Sequence, residues 1–157
     1  MIEMALLMPL LLLLILNLAN FGIYIFAWIT VNNAARQAAE YSAYNGPAVN
    51  FINPPTFAQI ETLVNTDVKS LPNFAAGTNP TLQVCSNANG TLTCSGSCAG
   101  VCTTPADPEP TLYAVNYVDV EYNYTPLFNA FDIPSLGISL TLPPSVIHRQ
   151  AAMRSMQ

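Results

Sequence analysis

Residues 4–31 read MALLMPLLLLLILNLANFGIYIFAWITV, an apolar run without a charged side chain. Crossing a bilayer takes about 20 such residues. One carboxylate, Glu3, stands at the front edge of the run, where burial without a partner is costly. Helical periodicity continues through NNAARQAAEYSAY to Asn45, and Gly46-Pro47 supplies a stop. A helix over 2–45 would be roughly 65 Å long, about twice the ~30 Å hydrocarbon core, so half of it must project beyond lipid. Pro9 removes one backbone hydrogen bond near the start. The projecting half carries Ala34, Ala35, Ala38, Ala39 and Ala43, small residues that let another element approach closely. Arg36 and Glu40 are four apart and are placed to pair.

The remaining chain, 46–157, is long enough for one small domain. The whole chain is 52% hydrophobic and 8% charged, against about 25% charged in ordinary soluble domains. Its net charge of −5 and the lack of a basic stripe exclude nucleic-acid binding as the expected function. They also argue against adhesion to anionic lipid surfaces. The apolar run exceeds a signal-peptide core of about 7–15 residues, and no basic segment precedes it. The expectation is a helix rather than a signal peptide, with prior removal of a leader one way to account for the missing basic segment.

Beyond the Asn53-Pro54-Pro55 break, Thr56 and Gln59 form a T-x-x-Q capping box. Phe57, Ile60, Leu63, Val64, Val68 and Leu71 follow at helical spacing. The pattern predicts an amphipathic helix over 56–70 whose apolar face lies on a sheet. Residues 81–94 read as a hairpin centred on Asn89-Gly90, the strongest two-residue turn signal. That centring sets Ala88 opposite Thr91 and Cys85 opposite Cys94, in the closer kind of cross-strand pair. Residues 112–124 alternate as a half-buried strand, with Asn116 a polar exception on the apolar face. Residues 136–142 alternate again, and 145–156 read as a last strand after Pro143-Pro144.

The four cysteines, Cys85, Cys94, Cys98 and Cys102, point to disulfides in an oxidising compartment. Three pairings are open; the hairpin register favours Cys85 with Cys94, leaving Cys98 with Cys102. Their spacing fits zinc poorly, and neither a metal nor another cofactor is expected. His148, the single histidine, belongs to no recognisable catalytic order, and Asp119 and Glu121 read as the solvated face of a strand. Asn17 and Asn20 interrupt the apolar run, either to bond between helices or back to their own helix. Phe21, Tyr24 and Trp28 fall on one helix face, as an interfacial aromatic belt or a subunit contact.

Three stretches together resemble the TadE-like family of pilins and pseudopilins. Glu3-Met4-Ala5-Leu6-Leu7-Met8-Pro9 and its leucine run are similar to that family's opening; Val31 to Tyr41 is similar to its N-A-A-R segment; Val118–Leu127 with Ile138–Arg154 is similar to its closing strands. Glu40 departs from the pattern, which usually has a basic residue there, and Glu3 stands third rather than fifth. The resemblance implies an α+β fold: a long hydrophobic helix over 1–45 carrying a small antiparallel-sheet head over 46–157. The disulfide loop over 85–102 rests on the cysteines themselves, since that middle stretch lies outside the resemblance. The resemblance implies a structural rather than enzymatic protein, inserted in the inner membrane and cleaved by a prepilin peptidase. An assembly machinery would then draw it into a homo-oligomeric helical filament on a bacterial cell surface. Glu3 would meet the α-amino group of a neighbouring subunit, and Pro9, Asn17, Asn20, Phe21, Tyr24 and Trp28 would belong to the assembly helix. A minor pseudopilin in the inner membrane and a membrane-anchored binding module are the alternatives.

Overall fold

The computed structural model describes residues 2–44, 55–88, 91–97, 113–127, 132–133, 138–139 and 142–156. Helix α1 spans Ile2–Tyr44 and runs through Pro9, one residue short of the expected end. Helix α2 spans Phe57–Val68. Its capping box forms as expected: the Thr56 backbone N–H donates to Gln59 Oε1 at 2.9 Å. The helix gives way to a turn at Lys69 and Ser70, slightly earlier than its pattern predicts.

The hairpin strands are β1, Thr81–Ala88, and β2, Thr91–Gly96. They pair in the expected register, from Ala88 opposite Thr91 to Cys85 opposite Cys94, and Cys85 and Cys94 are joined as a disulfide with Cα atoms 4.0 Å apart. That bond removes zinc ligation by this pair. Cys98 and Cys102 lie outside the described residues. Strand β3 spans Tyr113–Tyr124, β4 Asp132–Ile133, β5 Ile138–Ser139 and β6 Ser145–Met156. Of the strand expected over 136–142, the described part is β5, which pairs with β4 in a ladder separate from the main sheet.

The main sheet is antiparallel with order β2-β1-β3-β6. Its inner face, α1 and α2 share one core. Ala27, Val31, Ala34, Ala35, Ala38 and Ala39 of α1 meet Ile60, Val64 and Val68 of α2 and Val118, Val120, Tyr122 and Tyr124 of β3. The alanines are the reason three layers fit: without long side chains, α1 lies close to both neighbours. Contrary to expectation, α2 packs chiefly beside α1 rather than across the sheet. Its Phe57 ring reaches the hairpin edge at Gly96, whose φ is +89°.

A second difference lies on the outer face. Val115, Tyr117, Asp119 and Glu121 of β3 are buried along with the inner residues, so β3 is covered on both faces rather than half-buried. Asp119 is 3% and Glu121 6% exposed, where alternation alone predicts solvated carboxylates. A central strand is shielded by longer side chains of the flanking strands, and His148 and Gln150 of β6 lie against Asp119.

Candidate assembly site

The chemistry-bearing feature is α1, and its side chains divide it in two. From Leu7 to Leu18 the leucines point outward on all sides, with Leu10, Leu14 and Leu18 all more than half exposed. From Asn20 onward one face is sealed: Asn20, Ala27, Val31, Ala34 and Ala38 are all 0% exposed. Leu7–Ala43 meets the length and apolarity needed to cross a membrane. A helix apolar on every side must be covered by lipid or protein.

Two buried hydrogen bonds hold the sealed half to β3. The Tyr124 hydroxyl donates to the Asn20 carbonyl at 3.0 Å, and Asn116 Nδ2 donates to the Ser42 carbonyl at 3.0 Å. The second bond accounts for the polar exception on the apolar face of β3. Together they show that β3 runs antiparallel to α1, descending from Ser42 toward the free apolar segment. Tyr24 supports the lower bond, its ring edge-on to Tyr124 with centroids 5.3 Å apart.

A polar loop closes the same end. Asn79 Nδ2 donates to the Asn73 and Asn123 carbonyls, and Asn79 Oδ1 accepts from the Asn123 backbone N–H. The Tyr122 hydroxyl bonds to the Pro72 carbonyl. Burial, with Tyr124 beside it, pushes the Tyr122 phenol up to about 12, and burial raises Tyr124 as well. Neither ring ionises at physiological pH, so both remain hydrogen-bond donors.

The expected site residues are thus distributed rather than gathered. Glu3 is helical, but its side chain lies outside the described set. Pro9 is within α1. Asn17 Nδ2 bonds back to Leu13 of its own helix at 3.1 Å, whereas Asn20 is enclosed by the head. The aromatic trio separates: Phe21 is half-exposed, Tyr24 packs on the core, and the Arg149 guanidinium lies 4.2 Å over the Trp28 ring. Arg149 Nε is buried without a hydrogen-bond partner, so the ring face is its principal described contact.

The sequence pattern did not point to the outer-face cluster. Asp119 Oδ1 lies 2.5 Å from His148 Nε2, and Gln150 Nε2 donates to Asp119 Oδ2 at 3.4 Å. Burial raises the Asp119 carboxyl above its ordinary value, His148 offsets part of that, and Glu121 adds to it. Among the described residues no set of three or more His, Cys, Asp or Glu side chains could hold a metal. The open groove between α1 and α2, about 540 Å³, is lined by Tyr41, Ala58, Gln59, Thr62, Leu63 and Thr66 and holds no carboxylate, imidazole or thiol.

These features define a helix-anchored α+β protein whose free apolar segment requires a cover. The family model for TadE-like proteins matches residues 1–40, so over that stretch the chain is similar to TadE-like proteins. The match spans α1 up to its last turn, including both the exposed leucines and the sealed alanines. The likeness covers 40 of the 157 residues, and within it lies most of the segment that is long and apolar enough to cross a membrane. Neither a curated protein nor a solved structure matches the chain.

Proposed function

We propose that this chain is a structural subunit of an extracellular pilus-like filament that polymerises through α1. The observation that carries this reading is the division of α1. Its first half is apolar on every side and exposed, while its second half is fixed to the head. Lipid covers the first half before assembly, and the same half of neighbouring copies covers it afterwards. Transfer from lipid to a helical bundle yields little hydrophobic gain, so packing and polar contacts decide the outcome.

Glu3 supplies the polar contact in this reading. Its carboxylate pairs with the α-amino group of a neighbouring subunit, because a buried carboxylate costs several kcal/mol unless paired. A prepilin peptidase processes the chain on the cytoplasmic side, and the assembly machinery draws it from the inner membrane. The head, with its Cys85–Cys94 disulfide, then lies on the oxidising side.

Imaging of sheared surface filaments, with mass spectrometry of their subunits, tests the reading. This chain should dominate the filament protein, and Glu3→Ala should abolish filaments while leaving the chain in the membrane. Filaments in normal number from Glu3→Ala cells would remove the pairing role. A chain found only in trace amounts in filaments, or only in the membrane, would be a minor pseudopilin instead.

A further inference from the structure

The head has two ends along α1. At one, Asn116 meets Ser42; at the other, Tyr124 meets Asn20 and the free apolar segment begins. At this second end β3 leaves the sheet through Thr125, Pro126 and Leu127, and β6 enters it through Pro143, Pro144, Ser145 and Val146. None of these residues is charged. Leu127 and Val146 are 58% and 57% exposed, more than Leu92 of the distant hairpin at 46%. The connection between Leu127 and Leu142 contains one charged residue, Asp132. The acidic and basic side chains of β3 and β6 begin higher up, at Glu121 and His148.

Depth along the helix sets what this end meets. Residues 2–19 rise about 27 Å, close to the ~30 Å hydrocarbon core. Full insertion of that segment therefore brings Asn20, and with it Tyr124 and the end of the head, to the lipid interface. The described β3 and β6 ends carry exposed Leu127 and Val146 without a charged side chain, beside the polar loop that holds Asn73 and Asn79. They lie at the depth where the membrane-crossing helix meets the head, and apolar side chains mixed with uncharged polar groups suit the interfacial layer of a bilayer.

We propose that this end of the head is a lipid-facing foot, with Leu127 and Val146 resting in the interfacial layer of the bilayer that holds α1. The proposal rests on the membrane-anchored reading of α1. The occupant is lipid, and the described ends of β3 and β6 carry no cation that would select anionic headgroups.

The test uses the full chain in two sets of phosphatidylcholine vesicles, with acyl chains brominated near the headgroup in one and near the chain end in the other, so that both the interface and the bilayer centre, where Leu11 would lie, are sampled. In a Trp28→Phe background, which removes the single native tryptophan, one tryptophan is placed in turn by Leu127→Trp, Val146→Trp, Leu92→Trp and Leu11→Trp. Leu127→Trp and Val146→Trp should show blue-shifted emission and lose roughly half of it to the brominated lipid, while Leu92→Trp loses none. Quenched Leu11→Trp with Leu127→Trp and Val146→Trp behaving like Leu92→Trp overturns the foot and keeps the anchor. Unquenched Leu11→Trp overturns the anchor and the foot together. Blue-shifted but unquenched Leu127→Trp that depends on protein concentration assigns the surface to a second copy and overturns lipid.

Discussion

The Tyr124 hydroxyl bonds to the backbone carbonyl of Asn20, joining positions 104 residues apart at the point where α1 passes from enclosed to free. N-terminal to that bond, the described side chains from Leu7 to Ala19 are exposed or half-exposed and available to lipid or to other copies. C-terminal to it one face of the helix joins the head, while Phe21, Ile25, Phe26 and Ile29 stay exposed on the other. Tyr124→Phe keeps the ring packing on Tyr24 and removes only the donor. It should destabilise the head by about 1 kcal/mol, read by thermal unfolding in detergent. Because the acceptor is a main-chain oxygen, Asn20→Ala leaves it in place. The Tyr124→Phe effect should therefore be the same in the Asn20→Ala background; a cost that vanishes there would show that the Asn20 side chain, not its carbonyl, carries the link.

The two halves of α1 should respond oppositely to changes in size. Ala38 is fully enclosed among α2 and the sheet, so Ala38→Leu overpacks that layer and should cost about 1–3 kcal/mol of head stability. Leu11 is more than half exposed, so Leu11→Ala should leave head unfolding unchanged while lowering the yield of sheared filaments. Equal losses of head stability from both changes would contradict the division of the helix.

Asp119 links stability to pH. Burial raises its carboxyl above the ordinary 3.8, so the folded protein takes up its proton more readily than the unfolded chain. The contribution is fully present below the unfolded value and is lost as pH rises through the higher folded value. Asp119→Asn removes that loss and should leave stability at neutral pH equal or up to about 1 kcal/mol higher. His148→Ala removes the contact that offsets burial and should lower stability by about 1–3 kcal/mol wherever Asp119 is ionised. Combining it with Asp119→Asn should recover most of that loss. Melting temperatures of the four proteins across the acid-to-neutral range check both signs.

The parts of the fold written in local pattern were legible. Asn89-Gly90 and the alternation around it place Cys85 opposite Cys94, because a two-residue turn leaves one register for the strands it joins. The leucine run and the alanine spacing likewise mark α1 as one long helix. What local pattern does not carry is the identity of the partner layer. Periodicity gives α2 an apolar face without saying that α1 covers it. Alternation puts Asp119 and Glu121 on the outer face of β3 without saying that their neighbours shield them. Asn20 is hardest to read: in a helix apolar all round, its direction is visible only because it lies seven residues before Ala27, on the face continued by Ala34 and Ala38.

Gly96 is where the hairpin edge meets the Phe57 ring of α2. Its φ of +89° is one that side chains rarely adopt, and an added Cβ would meet the Leu82 carbonyl and the Phe57 ring, the nearest ring carbon at 2.6 Å. Gly96→Ala should therefore destabilise the head by about 1–3 kcal/mol. Phe57→Ala in the same chain relieves the ring contact but not the Leu82 carbonyl or the backbone conformation, so it should restore little of that stability. Thermal unfolding of the single and double variants separates the terms: full recovery by Phe57→Ala would make the ring the sole obstacle, whereas the geometry requires the main chain to dominate.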